Sequence, residues 1–127
     1  MAVDYAKLHV KAVCSKNSDY SSPKATMAPE AYTLTPDEYL HIEMNCDDNG
    51  ETLPTDMFTG GVTLCVIKNN DTAITVTAQF DTAGDTDVDV AIPAGGIFVT
   101  PDFVYTGNLK LTSATGLPEC EVLIVGT

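Results

Sequence analysis

The chain has no arginine and no tryptophan, and its 6 basic residues, all lysine, stand against 18 acids for a formal charge of −12. Phosphate binding rests on clustered Lys and Arg, and base reading on the guanidinium fork, so this composition speaks against a nucleic-acid partner. The 4 cysteines, Cys14, Cys46, Cys65 and Cys120, lie far apart with no CxxC pair, which argues against a zinc site or a dithiol redox motif. No run approaches the roughly 18 apolar residues of a membrane-spanning helix. The opening MAVDYAKLHVKAV lacks the apolar stretch of a secretory signal, so the sequence predicts maturation where the chain is made, in a cytosol. Motifs of the GxSxG, GxGxxG and Walker kinds are missing as well.

What is there describes a folded domain. The 127 residues are 44% hydrophobic and 19% charged, enough for one core and too few for two comfortable domains. The expectation is a single all-β domain over residues 1–127, an antiparallel β-sandwich or jelly roll. Residues 1–36 would form an N-terminal strand and extended arm, and residues 37–127 the main β body. Charge is uneven: residues 1–24 carry Lys7, Lys11, Lys16 and Lys24 against Asp4 and Asp19, while the rest is strongly acidic. A mildly basic arm on an acidic body suits packing on that body or on a neighbour.

Period-two alternation recurs along the chain and places the strands. Leu8, Val10, Ala12 and Cys14 would face in from a strand near residues 5–14, followed by a loop over 15–36 marked by SSP, APE and LTP. In TPDEYLHIEMNC, the start Thr35-Pro36-Asp37-Glu38 suits a helix cap. The alternation of Leu40, Ile42, Met44 and Cys46 with Tyr39, His41 and Glu43 instead favours a strand that ends at the turn DDNG. VTLCVIK, apolar on both faces, should be a central strand. An NND turn leads to TAITVTAQF, with Ile74, Val76, Ala78 and Phe80 inward, and then to DTDVDVAI, with Val88, Val90 and Ile92 inward. A Pro-Ala-Gly-Gly turn, GIFVT, DFVY, LKLTS and CEVLIV complete six or seven strands in the last part of the chain.

Candidate chemistry is thin. The 2 histidines, His9 and His41, fall on the solvent phase of their strands with no nucleophile motif beside them, so no catalytic residue is expected and the protein reads as non-enzymatic. Asn45, Asp47, Asn49, Gly50 and Asp56 occupy positions 1, 3, 5, 6 and 12 of an EF-hand-like loop. Asn45 stands where such a loop needs Asp and Asp56 where it needs a bidentate Glu, and the flanking helices are missing, so the stretch reads as a polar turn. Asp85, Asp87 and Asp89 share one face of a strand roughly 6.6 Å apart, and three carboxylates in a straight row do not wrap one ion. They mark a solvated face, as on an edge strand guarded by charge. No metal, cofactor or cofactor-binding residue is expected, and the cysteines in phase with apolar neighbours read as core residues.

The stretch from Asn69 to Gly96, with NNDTAITVTAQF, VDVAIPAGG and the following GIFVTP, resembles small β-sandwich structural proteins of tailed-phage virions. The resemblance covers about half of the chain and carries over no functional residue. It implies a capsid decoration or cement protein, made in the host cytoplasm and placed on the outer capsid surface. Such a protein would bind the major capsid protein, its own copies (most naturally as a trimer) or both, with residues 1–24 and 15–36 as the reaching arm. The alternative is a carbohydrate- or calcium-dependent binding module of a phage tail or surface adhesin. Against it, tryptophan is absent and Tyr5, Tyr20, Tyr32, Tyr39 and Tyr105 are scattered.

Overall fold

The computed structural model describes residues 6–15, 23–34, 38–53, 58, 62–80, 88–101 and 109–126. Contacts divide the chain into two compact units, Met1–Thr35 and Pro36–Thr127. In the first, β1 (Ala6–Ser15) pairs antiparallel with β2 (Pro23–Leu34), in a register running from Ala6 opposite Leu34 to Ser15 opposite Pro23. The expected strand near 5–14 is there. The loop expected over 15–36 is corrected, because residues 23–34 are strand. Proline accounts for the difference. Pro23 is the first residue of β2, where no ladder amide is needed, and Pro29 falls where Ala28 and Pro29 both oppose Lys11, in the register shift between Val10 and Ala12. Strand starts and bulges are the positions a strand allows to proline.

The second unit holds β3 (Glu38–Asn45), β4 (Glu51–Leu53), β5 (Val62–Asn69), β6 (Val76–Phe80), β7 (Val88–Ile92), β8 (Ile97–Pro101), β9 (Leu109–Ser113) and β10 (Glu119–Gly126). They form two four-stranded sheets, β3-β10-β5-β8 and β4-β9-β6-β7, with every pairing antiparallel. The order has a simple logic. β3 pairs with β10, β4 with β9, β5 with β8 and β6 with β7, which is one long hairpin whose tip lies between β6 and β7. Rolling that hairpin adds the pairings β10–β5 and β9–β6 and separates alternate rungs into two facing sheets. This is a jelly roll, as the expected all-β class allowed.

The interior follows from the alternation. Ile67, Val122 and Ile124 of the first sheet meet Val76, Ala78, Phe80, Leu109 and Leu111 of the second, all of them at 0% exposure. Phe80 and Phe98 join the sheets through rings 5.7 Å apart and tilted by 49°. β3 is a strand and not a helix, with Leu40, Ile42 and Met44 on the inner side and Tyr39, His41 and Glu43 exposed. β5 is central, as expected. β4 was not anticipated, since three residues are too few for a period to show. Val88 keeps the inner phase of β7 but is 41% exposed, because it starts an edge strand where little of the facing sheet remains to cover it. The expected strand DFVY lies outside the described residues.

One buried polar side chain ties the crossing points. Asn69, at the end of β5, is fully buried. Its Nδ2 donates to the carbonyls of Ile74 at 2.8 Å, Ile92 at 3.0 Å and Pro93 at 3.2 Å, and its Oδ1 accepts from the Asp71 amide at 3.0 Å. Its own amide donates to Gly96 O at 2.9 Å. The side chain therefore fastens the exit of β5, the approach to β6 and the end of β7, which belong to both sheets. Next to it, Asp71 Oδ1 accepts from the amides of Ala73 and Ile74, both at 2.8 Å, and these bonds hold its carboxyl below the usual range. Pro93-Ala94-Gly95-Gly96 closes with Gly96 N–H donating to Pro93 O at 2.8 Å, and Gly95 supplies the positive φ of 71°. The expected turn is present, yet it does not fold β8 back on β7; it carries the chain from one sheet to the other.

Three substitutions test this joint. Asn69→Ala removes the side-chain donor from the buried Ile92 carbonyl and the part-buried Ile74 carbonyl, while Pro93 O keeps Gly96 N–H, so chemical denaturation should show a loss of about 1–3 kcal/mol. Asn69→Asp, the same shape with no donor, should lose at least as much. The contribution of Asp71 is complete above the ordinary carboxylate range and is lost as pH falls through its lowered folded value. Asp71→Asn should therefore flatten the acid limb of a stability–pH profile.

Candidate interaction surface

The two sheets differ on the sides that face away from the interior. On β4-β9-β6-β7 one outer row reads Asp89, Gln79, Lys110, Thr52 and the next Ala91, Thr77, Thr112, the polar face expected of a solvated sheet. On β3-β10-β5-β8 the first outer row reads Glu43, Glu121, Lys68, Ile97, the second His41, Leu123, Val66, Val99 and the third Tyr39, Val125, Leu64. Two of these three rows are apolar across their centre. Val125 and Leu64 are buried, at 3% exposure each, although neither belongs to the interior cluster. Leu123, Val66 and Val99 are half-buried, and Tyr39 and Ile97 stand exposed at 68% and 62%.

Charge frames the apolar rows on one side. His41 Nε2 lies 3.5 Å from Glu121 Oε2, with both side chains open to solvent, and Glu43 and Lys68 complete the polar row. An exposed pair of this kind fixes orientation more than it stabilises. The sequence signal for this face was the apolar second phase of CEVLIV, GIFVT and VTLCVIK. Only the last reads from sequence alone as apolar on both faces, which a central position by itself explains.

The residues weighed for other chemistry separate. Asn45, Asp47, Asn49 and Gly50 lie in the crossing from β3 to β4, and no helix flanks them. Asn45 Nδ2 donates to Leu117 O at 2.9 Å, and Asp47 Oδ1 accepts from the amides of Asn49 at 2.9 Å and Gly50 at 3.1 Å. The Asp47 carbonyl receives Ser113 N–H at 3.0 Å. Gly50 has φ 80°, and a Cβ there would run into the side chains of Lys110 and Thr112. These groups build a turn that locks β4 to β9. Asp56 lies outside the described residues. Asp89 is exposed on the edge strand β7, as expected of a solvated face, while Asp85 and Asp87 lie outside the described residues. Among the described residues no cluster of His, Cys, Asp and Glu is arranged to hold a metal ion. His9 lies in β1 opposite Ala31, in the other unit from His41.

Cys46, Cys65 and Cys120 are free thiols at 1%, 0% and 0% exposure. Burial raises the Cys46 thiol and pushes Cys65 and Cys120 up to about 12. They are core atoms held as thiols and poor nucleophiles. Neither a family model nor a curated protein nor a solved structure matches this chain.

The turn and the thiols are both open to measurement. Asp47→Ala should lower stability by about 1 kcal/mol, whereas calcium or a chelator should leave the thermal midpoint of the parent chain in place. A midpoint that rises with calcium would contradict this turn. A thiol reagent should reach Cys46, Cys65 and Cys120 only at the rate of unfolding. Because their folded values are raised, their contribution is complete below the ordinary thiol range and is lost as pH climbs through the folded value of about 12 given for Cys65 and Cys120.

Proposed function

We propose that the chain is a non-enzymatic structural component of a virion, a capsid decoration protein that binds and stabilises the shell of major capsid protein on its outer surface. The observation that carries this reading is the asymmetry of the sandwich. One outer face is polar and self-sufficient, while the other presents Leu123, Val66, Val99 and Ile97 beside a polar row of Glu43, Glu121 and Lys68. Apolar centre and polar rim are the makeup of a protein–protein contact. The jelly roll supports the reading by analogy, since capsid proteins use it widely. The resemblance of Asn69–Gly96 to phage virion sandwiches and the acidic charge point the same way. The paired β1–β2 hairpin of the first unit takes the place of the extended arm as the element that reaches a neighbour.

Lectins share the jelly roll as well, and Tyr39 is a large aromatic side chain at 68% exposure, so a glycan-binding module of a tail or adhesin is the second reading. Purified virions of the virus that encodes the chain decide between them. The capsid reading expects the chain in many copies per particle, stripped by Leu123→Glu or Val66→Lys without loss of fold, and particles less resistant to heat once stripped. Few or no copies per particle, together with glycan binding that Tyr39→Ala removes, would replace it by the second reading.

A further inference from the structure

The second unit has sheet edges at β3, β8, β4 and β7, and they are not alike. Natural sheets guard their edges with short strands, proline, bulges or inward charge. β4 has three residues, β8 has five and ends at Pro101, and β7 has five. β3 has eight residues, pairs along its whole length with β10 without a register shift, contains no proline, and turns Leu40, Ile42 and Met44 inward. Among the described residues its one hydrogen-bonded neighbour is β10. Those three side chains are only half-buried, whereas Cys120, Val122 and Ile124 beside them on β10 are at 0% exposure. The interior is thus left incompletely covered along this edge.

We infer that β3 pairs with β3 of a second copy, antiparallel about a twofold axis through Ile42, and joins two first sheets into one continuous sheet. The residues of the strand select this register. With Ile42 opposite its own copy, Leu40 faces Met44 of the other strand on the inner side. On the outer side His41 faces Glu43 and Tyr39 faces Asn45, each pairing occurring twice. Apolar side chains meet apolar ones, imidazole meets carboxylate, and no like charges stand opposite. A shift to the register centred on His41 would instead set Tyr39 against Glu43 and the two imidazoles against each other. Directly opposed side chains in an antiparallel pair lie close enough for this match to count, and a twofold contact is self-complementary by construction. The inference concerns the isolated chain and holds whatever the apolar face binds. A twofold pair takes the place of the trimer that the virion resemblance implied for self-association.

The formal charge of −12 on each copy opposes association, so added salt should strengthen the dimer by screening it. Sedimentation velocity on the full chain over a concentration series, at low and moderate salt, reads the outcome. A monomer–dimer equilibrium that tightens with salt is expected. His41→Glu, which opposes carboxylate to carboxylate, should weaken it at least tenfold, as should Glu43→Lys. The double variant carrying both changes should restore it, because Glu at 41 then meets Lys at 43. All of these positions are exposed, so circular dichroism should report an unchanged fold. A strict monomer, a trimer, or a dimer indifferent to both single changes would overturn the pairing.

Discussion

The arrangement of the second unit hangs on a single amide side chain, that of Asn69. A jelly roll repeatedly passes the chain from one sheet to the other, and each passage exposes main-chain carbonyls that no ladder claims. Around the β5 exit, Asn69 claims those of Ile74, Ile92 and Pro93 with one NH2 group while its carbonyl steadies Asp71. Buried amides of this kind are costly if any partner is missing and define one geometry if none is. The Pro93–Gly96 turn, the Asp71 turn and the start of β6 are all positioned from it. A second joint of the same kind, at Asp47 and Ser113, fastens the β3–β4 crossing to β9, with Cys46 N–H on Pro118 O beside it.

With its crossings fixed, the sandwich has two outer faces of different character. The sheet that contains the polar rows of β6, β7 and β9 can stand in water. The other contains β5 and β10, strands apolar on both sides, and such strands are normally covered on both sides. The proposed capsid contact and the β3 pairing use different parts of that sheet, its face and its edge. A particle-bound array could therefore use both at once, with avidity arising from geometry rather than from either contact alone.

Much of this was legible in the chain. Alternation located β3, β6 and β9, a run apolar on both faces located β5, and the capping signal of Thr35–Glu38 was outweighed by the run from Tyr39 to Cys46. The PAGG and DDNG turns were recognised from their residue types. Sheet membership was not, because a turn motif gives the same signal whether it closes a hairpin or changes sheets. β2 was hidden by prolines that a bulge and a strand start tolerate, and β4 by its length. Asn69 read as one more turn residue, since nothing local distinguishes an asparagine that bonds across 23 or 24 residues from one that caps its own turn. The apolar outer rows were present in the sequence, but a second apolar phase looks like centrality until the register aligns Leu123 with Val66 and Val99.

The nesting of the rungs also sets an order in time. β6 and β7 are neighbours in the chain and close first at little entropic cost, whereas β3 and β5 both lie against β10, the last strand of the series. During synthesis the first sheet has no centre until residues 119–126 leave the ribosome, and until then β3 lacks its partner and β5 has only β8 beside it. The strand that completes the fold is therefore also the one that ends its exposure to wrong partners.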